Sequence, residues 1–441
     1  MSYEIVKLKY LSQVPITNGL GLPGEHDNPE WPRYIRTTDI ASPTSLRDDV
    51  FASQAPDVAS KARVSNGDIL MTAAGATIGK SVRLTGVGDA CFAGFLVRYR
   101  PNNRVDGRFV AYWMQSQHYW DQISVGAVRS TIDNFSASKY RELQVPLPPV
   151  EEQRRIADFL DDQVARIDGV LADCRELDSQ SEQAFQSAVI ERTTYAVTGG
   201  TIATTGFPWK PFAESSWHIR PMRSFLRYAK DPVGENWKDY RLLSLTKKGV
   251  IPRDVESNFG KFPESFDTYQ AVEPGDLVMC LFDVDETPRT VGLAHERGMV
   301  TGAYTRFVWT DPEISGRFVE YSLIGIDDQK AFRPLYTGMR KGIQTGRFLS
   351  ARLPIPSNAT QLSVVKALDE RRQSMELFRT ENARRSGLLE ERKRALITAA
   401  VTGELDVTTA KPIGMGKWVP NVGAGVEAPA AAQASSIGGI G

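Results

Sequence analysis

The octapeptide Ala74-Gly75-Ala76-Thr77-Ile78-Gly79-Lys80-Ser81 has the spacing of a phosphate-cradling loop, with alanine where the first glycine belongs. Such a loop works because its Gly-Lys-Ser opens a helix whose N-terminal amides face the anion. Here Val82-Arg83-Leu84-Thr85-Gly86 follows and alternates like a strand. The run Val278-Met279-Cys280-Leu281-Phe282-Asp283 ends in the acid that a Mg²⁺-binding partner strand would supply. It occupies, in a second copy, the place that residues 70–75 hold in the first, so the two halves of the apparent motif are copies of one element. Lys80 then reads as a basic side chain on a glycine-rich turn between strands, and a nucleotide-hydrolysing site at residues 74–81 is kept only as an alternative.

Other chemistry is poorly supplied. His26, His118, His218 and His295 are dispersed, and no CxxC, HExxH or GxSxG occurs. No adenosylmethionine-type glycine loop precedes an Asn/Asp-Pro-Pro-aromatic tetrapeptide. No catalytic residue, metal ligand or bound cofactor is therefore expected on this chain. Cys91, Cys174 and Cys280 are odd in number and far apart, which excludes a disulfide framework and suits a reducing cytoplasm. Across 441 residues, 53 Lys and Arg balance 53 Asp and Glu, so any nucleic-acid contact must come from local clusters instead of a global basic field. No stretch reaches the ~18 to 20 apolar residues of a membrane span. The opening Met-Ser-Tyr-Glu-Ile-Val-Lys-Leu-Lys-Tyr alternates charge with apolar residues, so no secretory leader is expected either.

What must position the chemistry is a doubled chain. Val64-Ser65-Asn66-Gly67-Asp68-Ile69-Leu70-Met71 recurs as Val272-Glu273-Pro274-Gly275-Asp276-Leu277-Val278-Met279, 208 positions later. Gly107-Arg108-Phe109-Val110 recurs at 209, Val145-Pro146-Leu147-Pro148 as Leu353-Pro354-Ile355-Pro356 at 208, and Ala196-Val197-Thr198-Gly199 at 204. Four matches in one order mark a tandem duplication. The first part of each half mixes Gly, Pro and aromatics with short β-branched runs, which predicts a mixed α+β domain. Prolines 146, 148 and 149, and again 354 and 356, end each domain.

Beyond them the period changes. Ile156, Leu160, Val164, Ile167, Leu171, Cys174 and Leu177 form one helical stripe, and Val364, Leu368, Met375, Phe378, Leu389 and Leu396 form another. A helix of ~40 residues is ~60 Å long, too long for a small domain to cover. The two are expected to pair as an antiparallel coiled coil, with Gly169 a possible kink and Asn382 a polar seam residue that fixes register.

Leu147-Pro148-Pro149-Val150-Glu151-Glu152-Gln153-Arg154-Arg155-Ile156-Ala157, running on to Ala196-Val197-Thr198-Gly199, resembles the first conserved region of the DNA-specificity subunit of type I restriction-modification systems. The stretch from Leu388-Leu389-Glu390-Glu391 to Leu396 and on to Gly403-Glu404-Leu405-Asp406 resembles the second. Thr360-Gln361 departs from the Glu152-Gln153 pair of the first copy. The resemblance implies two target recognition domains, each reading one half of a split double-stranded DNA site in the major groove, with the helices as a spacer whose length fixes the gap. It further implies two methyltransferase subunits docked on the conserved helices, for which Glu152, Gln153, Ile156, Leu389 and Leu396 are the candidate contacts, and restriction (translocase) subunits. S-adenosylmethionine, ATP and Mg²⁺ would sit on those partners. A non-DNA coiled-coil adaptor is the other alternative.

Candidate DNA contacts come from local chemistry. The segments around Arg129-Ser130-Thr131 and around Arg340-Lys341-Gly342-Ile343-Gln344 occupy corresponding places, each a glycine turn with donors shortly before a proline cluster. Arg129, Ser130, Thr131, Arg340, Lys341 and Gln344 suit phosphates or purine edges. Lys80, Arg33, Arg36, Lys247, Lys248 and Arg253 are added from basic loops. The expected division is 1–150 for the first recognition domain, 151–199 for the first helix, 200–356 for a linker and the second domain, 357–407 for the second helix, and 408–441 for a disordered, Ala/Gly/Pro-rich tail.

Overall fold

A computed structural model describes residues 3–128, 134–195, 200–253 and 265–407. The expected tail from residue 408 onward lies outside the described residues. The chain divides into two compact units, one of Met1–Leu171 with Gly387–Gly441 and one of Ala172–Ser386. Each unit therefore combines one globular domain with a stretch of both long helices, a division that cuts across the linear order of the sequence.

In the first unit, Ile69–Thr72 is an inner strand of a four-stranded antiparallel sheet, bonded to Ser81–Arg83 on one side and on the other to Leu96–Tyr99, beyond which lies Thr17–Asn18. All four residues of Ile69–Thr72 are buried. A strand covered on both faces needs no polar alternation, which is why this one reads as an unbroken apolar run. Its residues go alternately to two cores: Ile69 and Met71 pack with Phe109, Trp113 and Tyr140, whereas Leu70 packs with Ile35, Val82 and Phe92.

The second unit repeats the arrangement. Leu277–Met279 lies between Thr305–Trp309 and Val291–Leu293, with Leu226–Ala229 at the far edge. Leu277 and Met279 join one core and Val278 the other.

The Gly-Asp pair at the head of the recurring motif belongs to the scaffold. Gly67 and Gly275 take φ of +90° and +93°, where a Cβ is strained. Asp68 accepts the Ser65 amide (2.8 Å) and a two-pronged bond from Arg100 at 2.6 and 2.8 Å. Asp276 likewise accepts the Glu273 amide at 2.8 Å and Arg306 Nε at 2.6 Å. Buried carboxylates persist only with such partners.

Prolines fit where they fall. Glu4–Lys7 pairs with Gln144–Leu147 in a two-stranded antiparallel ribbon, and His218–Pro221 pairs with Arg352–Ile355 in the same way. Each strand of a two-stranded ribbon has one edge with no partner strand, where no backbone donor is needed, so Pro146 and Pro354 are tolerated.

The long helices are Val150–Arg192 and Asn358–Thr402. The first runs unbroken through Gly169. It stops seven residues before the expected limit of 199, and just past its end the Thr193 and Thr194 hydroxyls turn back to the Val189 and Ile190 carbonyls at 2.8 and 2.6 Å. Within the first unit, Ile156, Leu160 and Val164 share a core with Ile397, Ala400 and Val401, and Asp168 pairs with Lys393 at 2.6 Å. Within the second, Cys174 faces Asn382, Glu182 pairs with Arg379 at 2.8 Å, and Phe185 and Val189 share a core with Val364 and Leu368. Numbers rise on one helix as they fall on the other, so the pairing is antiparallel in both units.

Candidate nucleic-acid interface

The glycine turn of residues 337–342 in the second unit is built as a rigid hairpin tip. Thr337 and Gly342 exchange backbone bonds at 2.8 and 3.2 Å, and Gly338 and Lys341 take φ of +69° and +46°. The tip is then fastened to the loop that leaves the inner strand. The Ile343 amide donates to the Leu281 carbonyl at 2.7 Å, and the Asp283 amide donates to the Arg340 carbonyl at 3.0 Å.

A side-chain clamp completes it. The Asp285 carboxylate pairs with Lys341 Nζ at 3.1 Å and accepts from Arg333 Nε at 3.3 Å and the Tyr336 hydroxyl at 3.2 Å. Desolvation pushes that carboxyl up, but these bonds outweigh it and hold it below the ordinary carboxylate value. Lys341, read from sequence as a DNA donor, is thus engaged in holding its own loop. Met339 and Arg340 remain at the tip. Met339 is fully exposed, and no side-chain partner of Arg340 exists among the described residues. Gln344 is exposed beside them, at the start of the short helix Thr345–Ser350.

The first unit joins the same two loops at the same place. The Phe135 amide donates to the Ala73 carbonyl at 2.7 Å, and both residues stand 208 positions before Ile343 and Leu281. Arg129, Ser130 and Thr131 lie outside the described residues. Lys80 is exposed on the adjoining turn. Gly79 has φ of +85°, and a Cβ there would meet the Trp120 ring at 2.7 Å, so this glycine is required by packing. The next element is the strand Ser81–Arg83, paired with Ile69–Thr72. A phosphate loop needs a helix at that point, and the nucleotide reading of residues 74–81 fails for want of it.

The remaining basic candidates divide. Lys247 and Lys248 are exposed on the turn between Leu243–Thr246 and Gly249–Pro252, and the Lys248 carbonyl accepts from Arg372 at 3.1 Å. Arg253 is exposed but engaged within the chain. Arg36 forks onto Asp39, a fully buried carboxylate of its own domain, at 2.9 to 3.3 Å. Arg33 donates to the Arg47 carbonyl at 2.6 Å and, with Arg83, lines a concavity of about 570 Å³. Glu30, Asp48 and Asp89 line the same hollow and cancel the attraction for phosphate.

The partner contacts expected on the helices divide in the same way. Ile156 is 1% exposed and packs in the domain core. Gln153 is fully buried: its Oε1 accepts the Asp106 amide at 2.9 Å and its Nε2 donates to the Pro148 carbonyl at 2.8 Å. It staples the helix start to the domain. Glu152 is half-buried and accepts the Tyr3 hydroxyl at 2.7 Å. Leu389 and Leu396 are half-buried, and Leu396 packs against the core.

Among the described residues, no group of three or more His, Cys, Asp or Glu could hold a metal ion, and no helix is long and apolar enough to cross a membrane. Sequence reasoning did not single out Met339. For Met339 the available signal was an isolated long apolar residue between a glycine and two cations.

The doubled arrangement of sheet, paired loops and antiparallel helices has known counterparts. The family model of the type I restriction modification DNA specificity domain matches residues 26–169. The specificity subunit of the type I restriction enzyme EcoKI from Escherichia coli K12 is 28% identical over 125 residues, 28% of this chain and 25% of that protein. The StySPI specificity subunit from Salmonella potsdam is 26% identical over 127 residues, 29% of this chain and 26% of that protein. The aligned stretch thus spans about a quarter of each curated relative. A chain from a solved structure of a type I R-M system in assembly superposes with a TM-score of 0.66 over 92% of this chain and 98% of that one, at 13% identity, which is a likeness of fold. Residues 26–169 are thus similar to a type I restriction modification DNA specificity domain. Over part of its length the chain is similar to specificity subunits of type I restriction enzymes.

Proposed function

We propose that this chain is the non-catalytic, cytoplasmic DNA-reading subunit of a type I restriction-modification complex. Residues 1–150 and 200–356 each read one half of a split, asymmetric site on double-stranded DNA. The long helices dock two methyltransferase subunits, which methylate adenine N6 with S-adenosylmethionine, and the complex extends to restriction subunits that use ATP and Mg²⁺. Those cofactors belong to the partner chains.

The observation that carries the reading is the repeated junction of two loops. Phe135 to Ala73 and Ile343 to Leu281 are one hydrogen bond built twice. Around that bond the side chains differ: a glycine-rich turn with Lys80 in one copy, and Asp283-Val284-Asp285 under Met339-Arg340 in the other. A common scaffold presenting unlike side chains suits two readers of unlike sequence.

The test is to map methyladenine across the host genome with and without this chain. A two-part motif present only with the chain is the expected result. An unchanged methylation map, together with no selection of any motif from a random duplex pool, would sink the proposal.

A further inference from the structure

Three long side chains follow one another at the tip of the 337–342 hairpin, and their environments separate them. Lys341 is drawn back onto Asp285, while Met339 stands fully exposed and Arg340 carries a guanidinium with no side-chain partner among the described residues. An exposed methionine on a turn has no packing to do in this chain, and its apolar surface is recovered only by contact with something outside it. The backbone beneath is over-determined: two residues with positive φ, the Thr337–Gly342 pair, the Ile343–Leu281 and Arg340–Asp283 bonds, and the Asp285 clamp.

Phosphate contact makes no such demand, because a flexible cation follows a phosphate wherever it lies. Reading a base edge does, since a planar guanidinium must be placed to a fraction of an ångström to give two parallel bonds. Resting on the DNA-reading function above, we propose that Met339 and Arg340 read neighbouring base pairs in the major groove. Arg340 donates two N–H bonds to guanine O6 and N7, and the Met339 side chain covers the C5-methyl group of an adjacent thymine. Lys341 is a positioning residue, and the tip as a unit contributes specificity instead of backbone affinity.

The experiment selects duplexes from a random pool with the full chain, purified with whatever subunits accompany it, and compares Met339→Ala and Arg340→Ala. Both positions are exposed, so neither substitution disturbs a core. Arg340→Ala is expected to lose preference for one guanine by about 10- to 100-fold, and Met339→Ala to lose a few-fold preference for the thymine beside it. Both should keep the salt dependence of binding. Replacing that thymine by deoxyuridine, which lacks the methyl group, should reproduce the Met339→Ala loss in the wild type and leave Met339→Ala itself indifferent.

If both variants weaken binding to every sequence alike and flatten the salt slope, the tip touches phosphates only and the proposal is overturned. If the wild type selects a motif and both variants select it equally well, the tip does not touch DNA, and the DNA-reading function stands without this inference. If the wild type selects no motif, the function itself fails and the inference goes with it.

Discussion

Asn382 donates from Nδ2 to the Cys174 carbonyl and to the Asp178 carboxylate, each at 2.8 Å, and is only 6% exposed between the helices of its unit. A buried amide reaching a backbone carbonyl on the facing helix is satisfied in one register alone, because a slide by a turn leaves it unpaired in an apolar seam.

Asn382→Leu is therefore expected to leave the melting temperature unchanged or higher while the pairing loses its uniqueness. Spin labels at the exposed positions Arg175 and Glu381 would read this as a broadened distance distribution, where the parent protein gives a narrow one. A narrow distribution in the variant would show that apolar packing alone sets the register.

Gln153 and Gln361 tie the start of each long helix to its domain by the same pair of bonds. Gln361 Oε1 accepts the Ser315 amide at 2.8 Å, and its Nε2 donates to the Pro356 carbonyl at 3.1 Å. Gln153→Ala leaves the buried Pro148 carbonyl without its partner, at a cost of about 1 to 3 kcal/mol, and exposes the half-buried Asp106 amide as well. The urea midpoint should fall accordingly. Glu152→Ala, which removes one half-exposed bond to Tyr3, should cost much less. Equal losses would contradict the staple.

The same pair shows what the sequence could and could not yield. The duplication and the two long helical periods were legible, because repeated residues and a 3.6-residue period are properties of the chain itself. The role of Gln153 was not, since a glutamine in a family motif reads equally as a docking contact or a buried staple until burial is known. One hint was present: the second copy drops Glu152 to Thr360 yet keeps Gln361. At the tip, Arg340 and Lys341 looked equivalent, because the acid that separates them, Asp285, lies 56 positions away. For Arg36, the partner sits only three residues on, but nothing in the string says that Asp39 is buried.

Asp285 should hold the tip in a pH-dependent way. Its carboxyl is depressed in the folded chain, so the clamp contributes above the ordinary value of 3.8 and is lost as pH falls through the depressed one. Asp285→Ala is expected to speed amide exchange at Gly342 and Ile343 near neutral pH. The wild type should show the same loosening only in acid. Protection that is indifferent to both would mean the backbone bonds suffice without the clamp.

Lys210 offers the clearest pH prediction. It is 6% exposed, and its Nζ donates to the Thr193 and Thr194 hydroxyls at 3.0 and 2.9 Å. Those hydroxyls bond the last carbonyls of the first long helix, so the ammonium caps that helix through two relays, where a positive charge is favoured. Burial nevertheless lowers its pKa from 10.5 to about 7. Between those values the unfolded chain holds a proton that the folded chain has released, so stability rises with pH, by up to ~1.4 kcal/mol per pH unit for one proton. Below about 7 both states are protonated and the slope vanishes. The urea stability of the wild type relative to Lys210→Met should therefore climb from pH 7 to 10 and stay level from pH 5 to 6.5. A difference constant across the whole range would mean that the relayed carbonyls compensate the burial and keep the amine charged.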